Sequence, residues 1–510
     1  MNDITSLIAR TVANSFTPAA IQNVSPGLLL LRGSIAVVLG NELPKNTALP
    51  SDIKKVVWFG TPPEDTGFPG LRREASLPSL HGTDTCPGCR TPKDHHTESS
   101  GYVRYTTHSL TETVSEILSE RPFTRFDFME EWNNLGFGRI RTDGSIWAVQ
   151  GGIIPVQARE LAGLFVRTEN STAQYAGSYL TLYDTPERSV LWCDRPVGPV
   201  DSTEWTIIER FLCDWRADTL PCLPCLQGTP AGCSALATMR LDCDEDISSA
   251  RDVFEWYQDQ HLPFGLAVKT CLPMTEENLA LLRDVNAAGG TLLSHSHTHP
   301  FDWGGSFEAA KVEGEASRQW FRDNLPEAPV PDLAVSPFHT NPPCAMQAVE
   351  SAGFTGVVSG IIHNDPEYML GRAGVAPFTR RLVTISQQSM LHGDCYAQQK
   401  ESVAVHVTAL DLQRAARGIF GYLDHPFSER YQYGWESKEQ RLGAHHKLVE
   451  AIRARPDVWF WNQRQCFDFV KALMRVTLVT DDTGSITVRG AEPSEAFRME
   501  YRYRGALFTI

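Results

Sequence analysis

Three histidines at alternate positions follow a short apolar run in the middle of the chain. Residues 294–300 read Ser-His-Ser-His-Thr-His-Pro, directly after Thr-Leu-Leu. His295 and His299 are four residues apart, so both rings can reach one ion if the segment turns helically. Imidazole nitrogen is a preferred ligand of Zn²⁺ and similar cations. His297, which lies between them, is expected either to take part or only to form a hydrogen bond or face solvent.

Acidic side chains follow another apolar run earlier in the chain, where residues 242–246 read Asp-Cys-Asp-Glu-Asp. A catalytic metal site of the zinc type combines imidazole and carboxylate ligands and leaves one position to water. The cation lowers the pKa of that water from 15.7 to about 7, and a second carboxylate can accept its proton. Acids after a strand also serve as turn residues or helix caps, which suits Asp246. Asp242 and Asp244 are the candidates for the site.

A third cluster lies late in the chain, where residues 422–426 read Tyr-Leu-Asp-His-Pro. A histidine opposite the base can protonate a leaving group, and His425 is the candidate for this role. A lone histidine is more often a structural group. Three clusters of this composition, each after a strand-like run, are harder to explain by chance. Together they predict a hydrolytic metal site.

A regular alternation of strand-like and helix-like segments explains how these clusters can meet. The strand patterns cover residues 235–241, 265–268, 291–293, 332–336, 354–359, 421–423 and 458–461. The later helix patterns cover residues 306–323, 344–352, 437–453 and 464–474. Repeated βα units of this length predict a parallel sheet that closes or nearly closes into a barrel. Chemistry in such barrels lies at the carboxyl ends of the strands, so we expect all three clusters on one face.

The remainder of the chain is less regular. Residues 1–220 predict a separate α/β domain of uncertain role, for which substrate recognition or dimerisation is the working hypothesis. Residues 1–20 resemble an amphipathic or loosely held leader. Residues 221–234 are rich in turn-forming residues and predict a linker. The barrel then covers residues 235–474, and residues 475–510 predict a small β appendage.

Composition limits the classes of partner. The chain has 510 residues and a formal net charge of −15, which disfavours nucleic acid and anionic membranes. We therefore expect a small-molecule or glycan substrate. The most apolar stretch, residues 28–39, is shorter than the roughly 20 residues that a spanning helix needs. The first residues lack the pattern of a secretory signal, which predicts a cytoplasmic protein whose twelve cysteines are mostly reduced thiols.

A second metal site is an open alternative in the first half of the sequence. Cys86 and Cys89 precede His95 and His96, an arrangement compatible with structural zinc. The spacing of the second pair of possible ligands, His95 and His96, is not one that is familiar from structural zinc sites. An exposed loop without metal is the simpler interpretation.

Residues 236–470 resemble the NodB-type polysaccharide deacetylases, of the carbohydrate esterase 4 type. The second motif of that family, H-[S/T]-x-x-H, is matched by residues 295–299, and residues 240–244 match a D-x-D variant of the first motif. Residues 423–426 match a later L-x-x-H-P-like motif. The resemblance implies a distorted (β/α) barrel. It also implies a set of site residues: Asp242 as catalytic base, Asp244, His295 and His299 as metal ligands, and His425 as catalytic acid.

One motif departs from the family pattern. The third motif usually reads R-x-P-Y, and its arginine orients the base, but residues 335–339 read Val-Ser-Pro-Phe-His. Either another group holds the base, with His339 or the pair His392 and Asp394 as candidates, or the activity is altered.

Substrate contacts are expected from the same segment and from one aromatic residue near the histidines. The resemblance implies that a backbone N–H of the loop Pro337, Phe338 and His339 helps to bind the oxyanion. Trp303 is expected either to stack on a sugar ring or to pack against the rim of the barrel.

The sequence therefore predicts a metal-dependent hydrolase that removes an acetyl group from an N-acetylated sugar or glycan precursor, with O-acetyl esters as a second substrate class. One divalent cation is expected, Zn²⁺ first, with Co²⁺, Ni²⁺ or Fe²⁺ as alternatives. Two other functions stay open. The missing arginine also suits a non-catalytic glycan-binding barrel, and a barrel of the same fold could open a C–N bond without metal. A homo-oligomer is a further option that the sequence does not decide.

Overall fold

A computed structural model describes most of the chain. The described residues are 4–45, 47–62, 70–73, 101–123, 149, 151–167, 173–198, 202–339, 341–359, 372–376, 378–387, 389–428, 430–481, 484–492 and 494–510. The candidate zinc ligands Cys86, Cys89, His95 and His96 lie outside these ranges. Among the described residues, no helix is both long and apolar enough to cross a membrane.

The first part of the chain is built around a mixed sheet. This part of the chain has eleven described strands, of which β5 and β8 form a separate pair. They are β1 (Ile21–Ser25), β2 (Leu28–Leu31), β3 (Ile35–Leu39), β4 (Lys55–Phe59), β5 (Leu71–Arg73), β6 (Gly101–Tyr105), β7 (Glu120–Phe123), β8 (Ile153–Pro155), β9 (Arg159–Arg167), β10 (Ala173–Asp184) and β11 (Ser189–Cys193). Nine strands form the order β1-β2-β3-β4-β11-β10-β9-β6-β7, and β5 pairs with β8. Strands β3, β4 and β11 pair in parallel, while the other described pairs of this sheet are antiparallel.

In the described part of the chain, three helices accompany this sheet: α1 (Ile4–Phe16), α2 (Glu112–Ser115) and α3 (Ser202–Cys213). Of the two expectations for residues 1–20, a loosely held leader is wrong, because α1 is part of the core. Val12 and Phe16 are fully buried, and they belong to the same apolar cluster as Trp205 of α3. The indole of Trp205 also donates a hydrogen bond of 2.8 Å to the hydroxyl of Ser15. Residues four apart on a helix share one face, which explains how so short a segment is held.

The second part of the chain is a larger, mostly parallel sheet. Its ten strands are β13 (Ala235–Cys243), β14 (Gly265–Val268), β15 (Thr291–Ser294), β16 (Leu333–Val335), β17 (Gly356–Ser359), β18 (Gly374–Val375), β19 (Val383–Ser386), β20 (Ser389–Met390), β21 (Ile419–Asp424) and β22 (Val458–Phe460). The order is β18-β19-β17-β16-β15-β14-β13-β21-β20, and β22 pairs with β13. The described end strands β18 and β20 do not pair with each other, so the barrel is open. The predicted distorted (β/α) barrel is confirmed.

Eight helices follow the strands of this sheet in the described chain: α4 (Arg251–Asp259), α5 (Glu276–Ala287), α6 (Phe307–Asn324), α7 (Pro343–Ser351), α8 (Gly393–Gln398), α9 (Ala404–Ala416), α10 (Lys438–Arg453) and α11 (Gln463–Leu473). Side-chain caps fix where several of them begin. Ser306 and Ser437 accept backbone N–H groups of α6 and α10, and Asn462 forms a reciprocal capping box with Gln465 at α11. Such caps satisfy donors that the first helical turn leaves without partners.

The predicted linker and the end of the chain form further strands. These are β12 (Cys225–Leu226), β23 (Thr477–Thr480), β24 (Ile486–Arg489), β25 (Glu500–Tyr503) and β26 (Ala506–Thr509). Strands β23 and β24 form a hairpin, whereas β12 pairs with β25 and so joins the predicted linker to the predicted appendage. Cys222 and Cys225 are buried free thiols in this region. The domain limits expected from the sequence stay a prediction.

Candidate metal centre

The first feature of the site is the approach of Asp244, His295 and His299. Each offers one ligand atom, and these atoms lie within 4.8 Å of one another. Asp244 Oδ1 is 3.2 Å from His295 Nε2 and 3.6 Å from His299 Nε2. Strands β13 and β15 flank β14 in parallel, so their carboxyl ends lie at one edge of the sheet. The structure therefore brings together the three residues that the sequence singled out as ligands.

The protonation pattern of this cluster suits a cation. His295 Nδ1 lies 3.1 Å from the carbonyl oxygen of Val335, which it can contact favourably only as an N–H donor. The lone pair of a neutral His295 is then on Nε2, which faces Asp244. The buried Oδ1 atom of Asp244 has no hydrogen-bond partner within the described chain. A buried carboxylate oxygen beside two imidazole nitrogens matches the donor set of a catalytic zinc-type site.

The loop that carries the two histidines is not the helical turn expected from the sequence. Ser296 and His299 have φ values of 62° and 54°, in the left-handed region that non-glycine residues seldom adopt. The N–H of His299 donates a hydrogen bond of 2.9 Å to the hydroxyl of Ser296. This tight loop places the ring centroids of His295 and His299 4.7 Å apart. Such uncommon backbone conformations are typical of functional sites that the surrounding structure holds in place.

Glu313 of α6 holds the same loop from outside. Its carboxylate accepts the N–H groups of His297 and Thr298 at 2.9 and 2.7 Å, and it also accepts the hydroxyl of Thr298 at 2.8 Å. The ring of His297 lies 3.0 Å from the hydroxyl of Thr270. His297 is thus engaged with Thr270, and Glu313 is a supporting residue that the sequence analysis missed.

Asp242, the candidate base, is paired with an arginine of its own strand. Arg240 donates to both carboxylate oxygens of Asp242, at 2.7 Å from Nε and 3.1 Å from Nη2. The same Nη2 donates to the side chain of Gln387 at 2.7 Å. Residues two apart on a strand share one face. This spacing is the feature of the sequence from which the pair could have been predicted. Arg240 therefore supplies the guanidinium that the third motif lacks.

Electrostatics keep both carboxylates ionised. Burial raises the pKa of Asp242, but the charges of Arg240 and His295 outweigh burial and hold it below its ordinary value. Burial also raises the pKa of Asp244, but the nearby imidazoles of His295 and His425 outweigh burial and hold it well below that value. Burial, followed by the charge of His295, lowers the pKa of His299 to about 4. A neutral imidazole beside ionised carboxylates is the form that binds metal.

His425, the candidate acid, reaches the cluster from β21. Its Nε2 lies 3.4 Å from Asp244 Oδ2, and its Nδ1 lies 2.6 Å from Nε2 of His392. The ring of Tyr433 stacks on His425 with centroids 4.3 Å apart and planes at 15°. Asp394, which the sequence analysis offered as a partner of the base, is exposed on α8. The structure thus joins His392 to His425, the candidate acid, and Arg240 to Asp242, the candidate base.

The segment after β16 contributes an aromatic edge. Pro337 is buried, and Phe338 has a φ of 54° within the 3₁₀-helix Pro337–His339. The ring of Phe338 contacts those of His299 and Phe301, with centroid separations of 4.6 and 5.8 Å. Phe301 is 72% exposed, and it belongs to none of the sequence motifs. The side chain of His339 lies outside the described structure.

Trp303 does not extend this exposed edge. Its side chain is 8% exposed and belongs to an apolar cluster with Ala310, Ala345 and Met346 of α6 and α7. Of the two expectations for Trp303, packing against the barrel is the one that this position favours.

The chain is similar to known proteins only at the level of solved structures. No protein-family model matches the sequence, and no curated protein matches it. Similar structures include a family 4 carbohydrate esterase from Streptomyces lividans in complex with acetate. It has 14% identity and a TM-score of 0.29, and the match covers 45% of this chain and 92% of that chain.

Two further similar structures differ in how much of this chain they cover. A family 4 acetyl xylan esterase from Clostridium thermocellum, in complex with a cobalt ion, has 14% identity and a TM-score of 0.30 over 46% of this chain and 91% of that chain. A carbohydrate deacetylase called Agd3 has 10% identity and a TM-score of 0.35 over 88% of this chain and 79% of that chain.

The strand order and the positions of the site residues can be compared with the arrangement expected from the sequence motifs. Parallel strands β13, β15 and β21 carry the acidic, histidine and His-Pro motifs at their carboxyl ends, where the resemblance in sequence predicts them. The topology and the positions of these motifs are those that the resemblance to NodB-type polysaccharide deacetylases predicts for a distorted (β/α) barrel.

Proposed function

We propose that the protein is a metal-dependent hydrolase that removes an acetyl group from an N-acetylated sugar or glycan precursor. The observation that carries this proposal is the cluster of Asp244, His295 and His299, whose ligand atoms lie within 4.8 Å of one another. Two further groups border the cluster on different strands, Asp242 with its arginine and His425. A set of metal ligands, an ionised carboxylate and a further imidazole can supply the Lewis acid, the base and the acid for hydrolysis of an amide.

In this proposal Asp244, His295 and His299 hold one divalent cation, with Zn²⁺ as the first candidate and Co²⁺, Ni²⁺ and Fe²⁺ as alternatives. Such a cation, when bound, polarises a carbonyl oxygen and lowers the pKa of a water molecule. The chain itself fixes the ligands: the carbonyl of Val335 orients His295, and Glu313 holds the loop that carries His299.

Asp242 and His425 move the protons. The ionised Asp242, held by Arg240, accepts a proton from the attacking water, whose oxygen forms a bond to the acetyl carbon. The C–N bond then breaks, and His425 donates a proton from Nε2 to the departing nitrogen. The products are acetate and a free amine, and proton exchange with solvent returns both side chains to their starting state. General acid and base groups of this kind contribute about 10²–10⁴-fold each.

The carbonyl oxygen gains negative charge during attack, and a backbone N–H of the segment Pro337–His339 is the proposed donor to it. Phe301 and Phe338 form an aromatic edge beside the ligands. Aromatic side chains of this kind suit the apolar face of a pyranose ring, which favours a sugar over a peptide as substrate. An O-acetylated sugar fits the same groups, because an alkoxide also departs with a proton from His425.

An acetate-release assay over N-acetylated and O-acetylated sugars and nucleotide sugars tests the proposal. Asp242→Asn is expected to abolish release while bound metal is retained, because Asp242 is not among the ligands. His446→Ala, on the exposed face of α10, is the control and is expected to keep the wild-type rate. Release that survives Asp242→Asn would remove Asp242 from the mechanism.

Two alternatives predict different results in that assay. A glycan-binding barrel without activity would release no acetate from any sugar, and it would bind sugar equally well with Asn at position 242. The case for such a non-catalytic barrel was the arginine missing from the third motif. The pairing of Arg240 with Asp242 weakens that case. A hydrolase that opens a C–N bond without metal would keep its rate after chelation. The cytoplasmic location and the division at residues 220, 234 and 474 remain our proposals as well.

A further inference from the structure

Two imidazoles meet directly beside the metal cluster. His392 Nε2 and His425 Nδ1 are 2.6 Å apart, and the ring centroids are separated by 4.7 Å with planes at 61°. At that distance one nitrogen donates a proton and the other accepts it. The direction of this hydrogen bond decides which nitrogen of His425 carries a proton.

The surroundings favour His425 as the donor. Burial, followed by the charge of His425, lowers the pKa of His392 to about 3, so His392 is neutral near pH 7 and one of its nitrogens is free to accept. The other nitrogen of His425, Nε2, lies 3.4 Å from an oxygen of Asp244, on the side of the ligand cluster. With Nδ1–H directed to His392, Nε2 is the nitrogen that faces the reacting groups.

Close contacts of the backbone fix His392 in this position. The N–H of Leu391 donates to the carbonyl of Leu423 at 2.7 Å, and the N–H of Gly393 donates to the carbonyl of Tyr433 at 3.0 Å. A side chain at position 393 is excluded, because its Cβ would lie 2.0 Å from the backbone carbon of Gly434. The same approach brings the ring of Tyr433 onto the face of His425. The close approach of the segments around Gly393 and Gly434 thus places both His392 and Tyr433 against the ring of His425.

We infer that His392 is a positioning residue that accepts the Nδ1–H of His425 and so keeps Nε2 directed towards the leaving group. This inference rests on the proposed function for its effect on rate, but the hydrogen bond itself can be measured without substrate. Catalytic imidazoles are generally fixed in tautomer and orientation by a group bonded to the second nitrogen. Here that group is another imidazole, which contributes no negative charge.

Two substitutions separate the hydrogen bond from simple packing. His392→Gln can place an amide oxygen near the position of Nε2 and keep an acceptor, whereas His392→Phe keeps a ring without one. We expect His392→Phe to lower kcat about 100-fold, the lower range for loss of general acid catalysis, with KM and metal content unchanged. We expect His392→Gln to stay within a few-fold of wild type. Equal loss of kcat in both variants, or no loss in either, would overturn the inference.

Nitrogen NMR of the histidine rings provides the second readout, on the zinc-loaded protein without substrate. The His425 resonances are assigned by their absence in His425→Gln. A His425 that carries a proton on Nδ1 in the wild type, with or without a second proton on Nε2, and that loses this preference in His392→Phe supports the inference; a His425 whose only proton is on Nε2 in the wild type contradicts it. If the wild-type protein releases no acetate from any substrate, the proposed function fails, and the tautomer of His425 alone decides the role of His392.

Discussion

Arg240 and Asp242 lie two residues apart on the same face of β13, and the guanidinium of Arg240 grips both oxygens of the carboxylate at 2.7 and 3.1 Å. Both side chains are almost fully buried. In the family pattern an arginine from another strand performs this task, whereas this chain has Val335 at that place. The proposed base, Asp242, therefore has its partner within its own strand, and the missing motif residue does not leave this carboxylate unpaired.

The first prediction concerns this pair. Arg240→Lys keeps a charge but loses the planar fork that grips both oxygens, so we expect kcat to fall about 10–100-fold with bound metal retained. Arg240→Met leaves a buried carboxylate without a partner, which costs about 3–5 kcal/mol of unfolding free energy. Arg251→Met is the control, because its pair with Asp284 is solvent-exposed. Steady-state kinetics and thermal unfolding measure both effects; an Arg240→Lys variant with normal kcat would contradict this role.

The second prediction concerns the loop of the histidines. Glu313 accepts the N–H groups of His297 and Thr298, so Glu313→Ala should loosen the loop that presents His299. We expect the Kd for Zn²⁺ to rise about 10–100-fold, the range for loss of a group that supports a ligand. Glu315→Ala removes an exposed acid from the same helix and should leave the Kd unchanged. Competition with a chromophoric chelator measures the affinity, and equal Kd values for the two variants would exclude support by Glu313.

The third prediction separates two aromatic residues of neighbouring position. Phe301 is exposed and Trp303 is buried, so their substitutions should act differently. We expect Phe301→Ala to raise KM for a sugar substrate up to about tenfold, as for a loss of 1.4 kcal/mol, with kcat unchanged because the contact is equal in ground and transition states. Trp303→Ala should instead cost about 3–5 kcal/mol of unfolding free energy. A small acetyl ester without a sugar is the control substrate, and its KM should not respond to Phe301→Ala.

The fourth prediction concerns stability against acid. Asp424 accepts hydrogen bonds from Arg441 and His445 at 2.6 and 3.0 Å within the core. Burial raises the pKa of Asp424, but the charge of Arg441 and the hydrogen bond from His445 hold it below its ordinary value. A carboxyl with a lowered folded-state pKa stabilises the fold above the unfolded value of about 3.9, and this stabilisation is lost as pH falls through the folded-state pKa.

Asp424→Asn is therefore expected to lower the unfolding free energy by about 3–5 kcal/mol at pH 7, because Arg441 stays buried without its partner. The difference from wild type should shrink as pH falls below about 4, because the carboxyl of the unfolded wild-type chain takes up its proton before that of the folded protein does. Asp252→Asn is the control, since its pair with Lys438 is exposed and worth at most about 1 kcal/mol. Denaturant unfolding at a series of pH values measures this; a difference that is independent of pH would contradict the assignment to Asp424.

The sequence predicts the barrel well where elements are long and locally encoded. The strand at 265–268 is observed with the predicted limits, and the helix pattern 437–453 corresponds to α10 within one residue. The strands β18 and β20 have two residues each, too short to show any periodicity. Elements of that length are fixed by their neighbours in the sheet and not by their own sequence.

The residues of the site also divide into those that a local sequence pattern predicts and those that only the fold brings together. His295 and His299 are visible because their spacing is local, and Asp244 because it follows a strand. The contact of His392 with His425 depends on the approach of Gly393 to Gly434, which no local pattern encodes. The pairing of Arg240 with Asp242 had a local signal, the two-residue spacing on one strand face, but the family pattern directed attention to position 335.

Elemental analysis of the purified protein, after loading with Zn²⁺ and removal of free metal, tests the central claim most directly. The account predicts about one ion per chain in the wild type and in the control His446→Ala, and none in the double variant His295→Ala/His299→Ala, since one carboxylate alone does not hold a zinc-type cation. A folded double variant that retains its ion would place the ligands elsewhere and contradict the account.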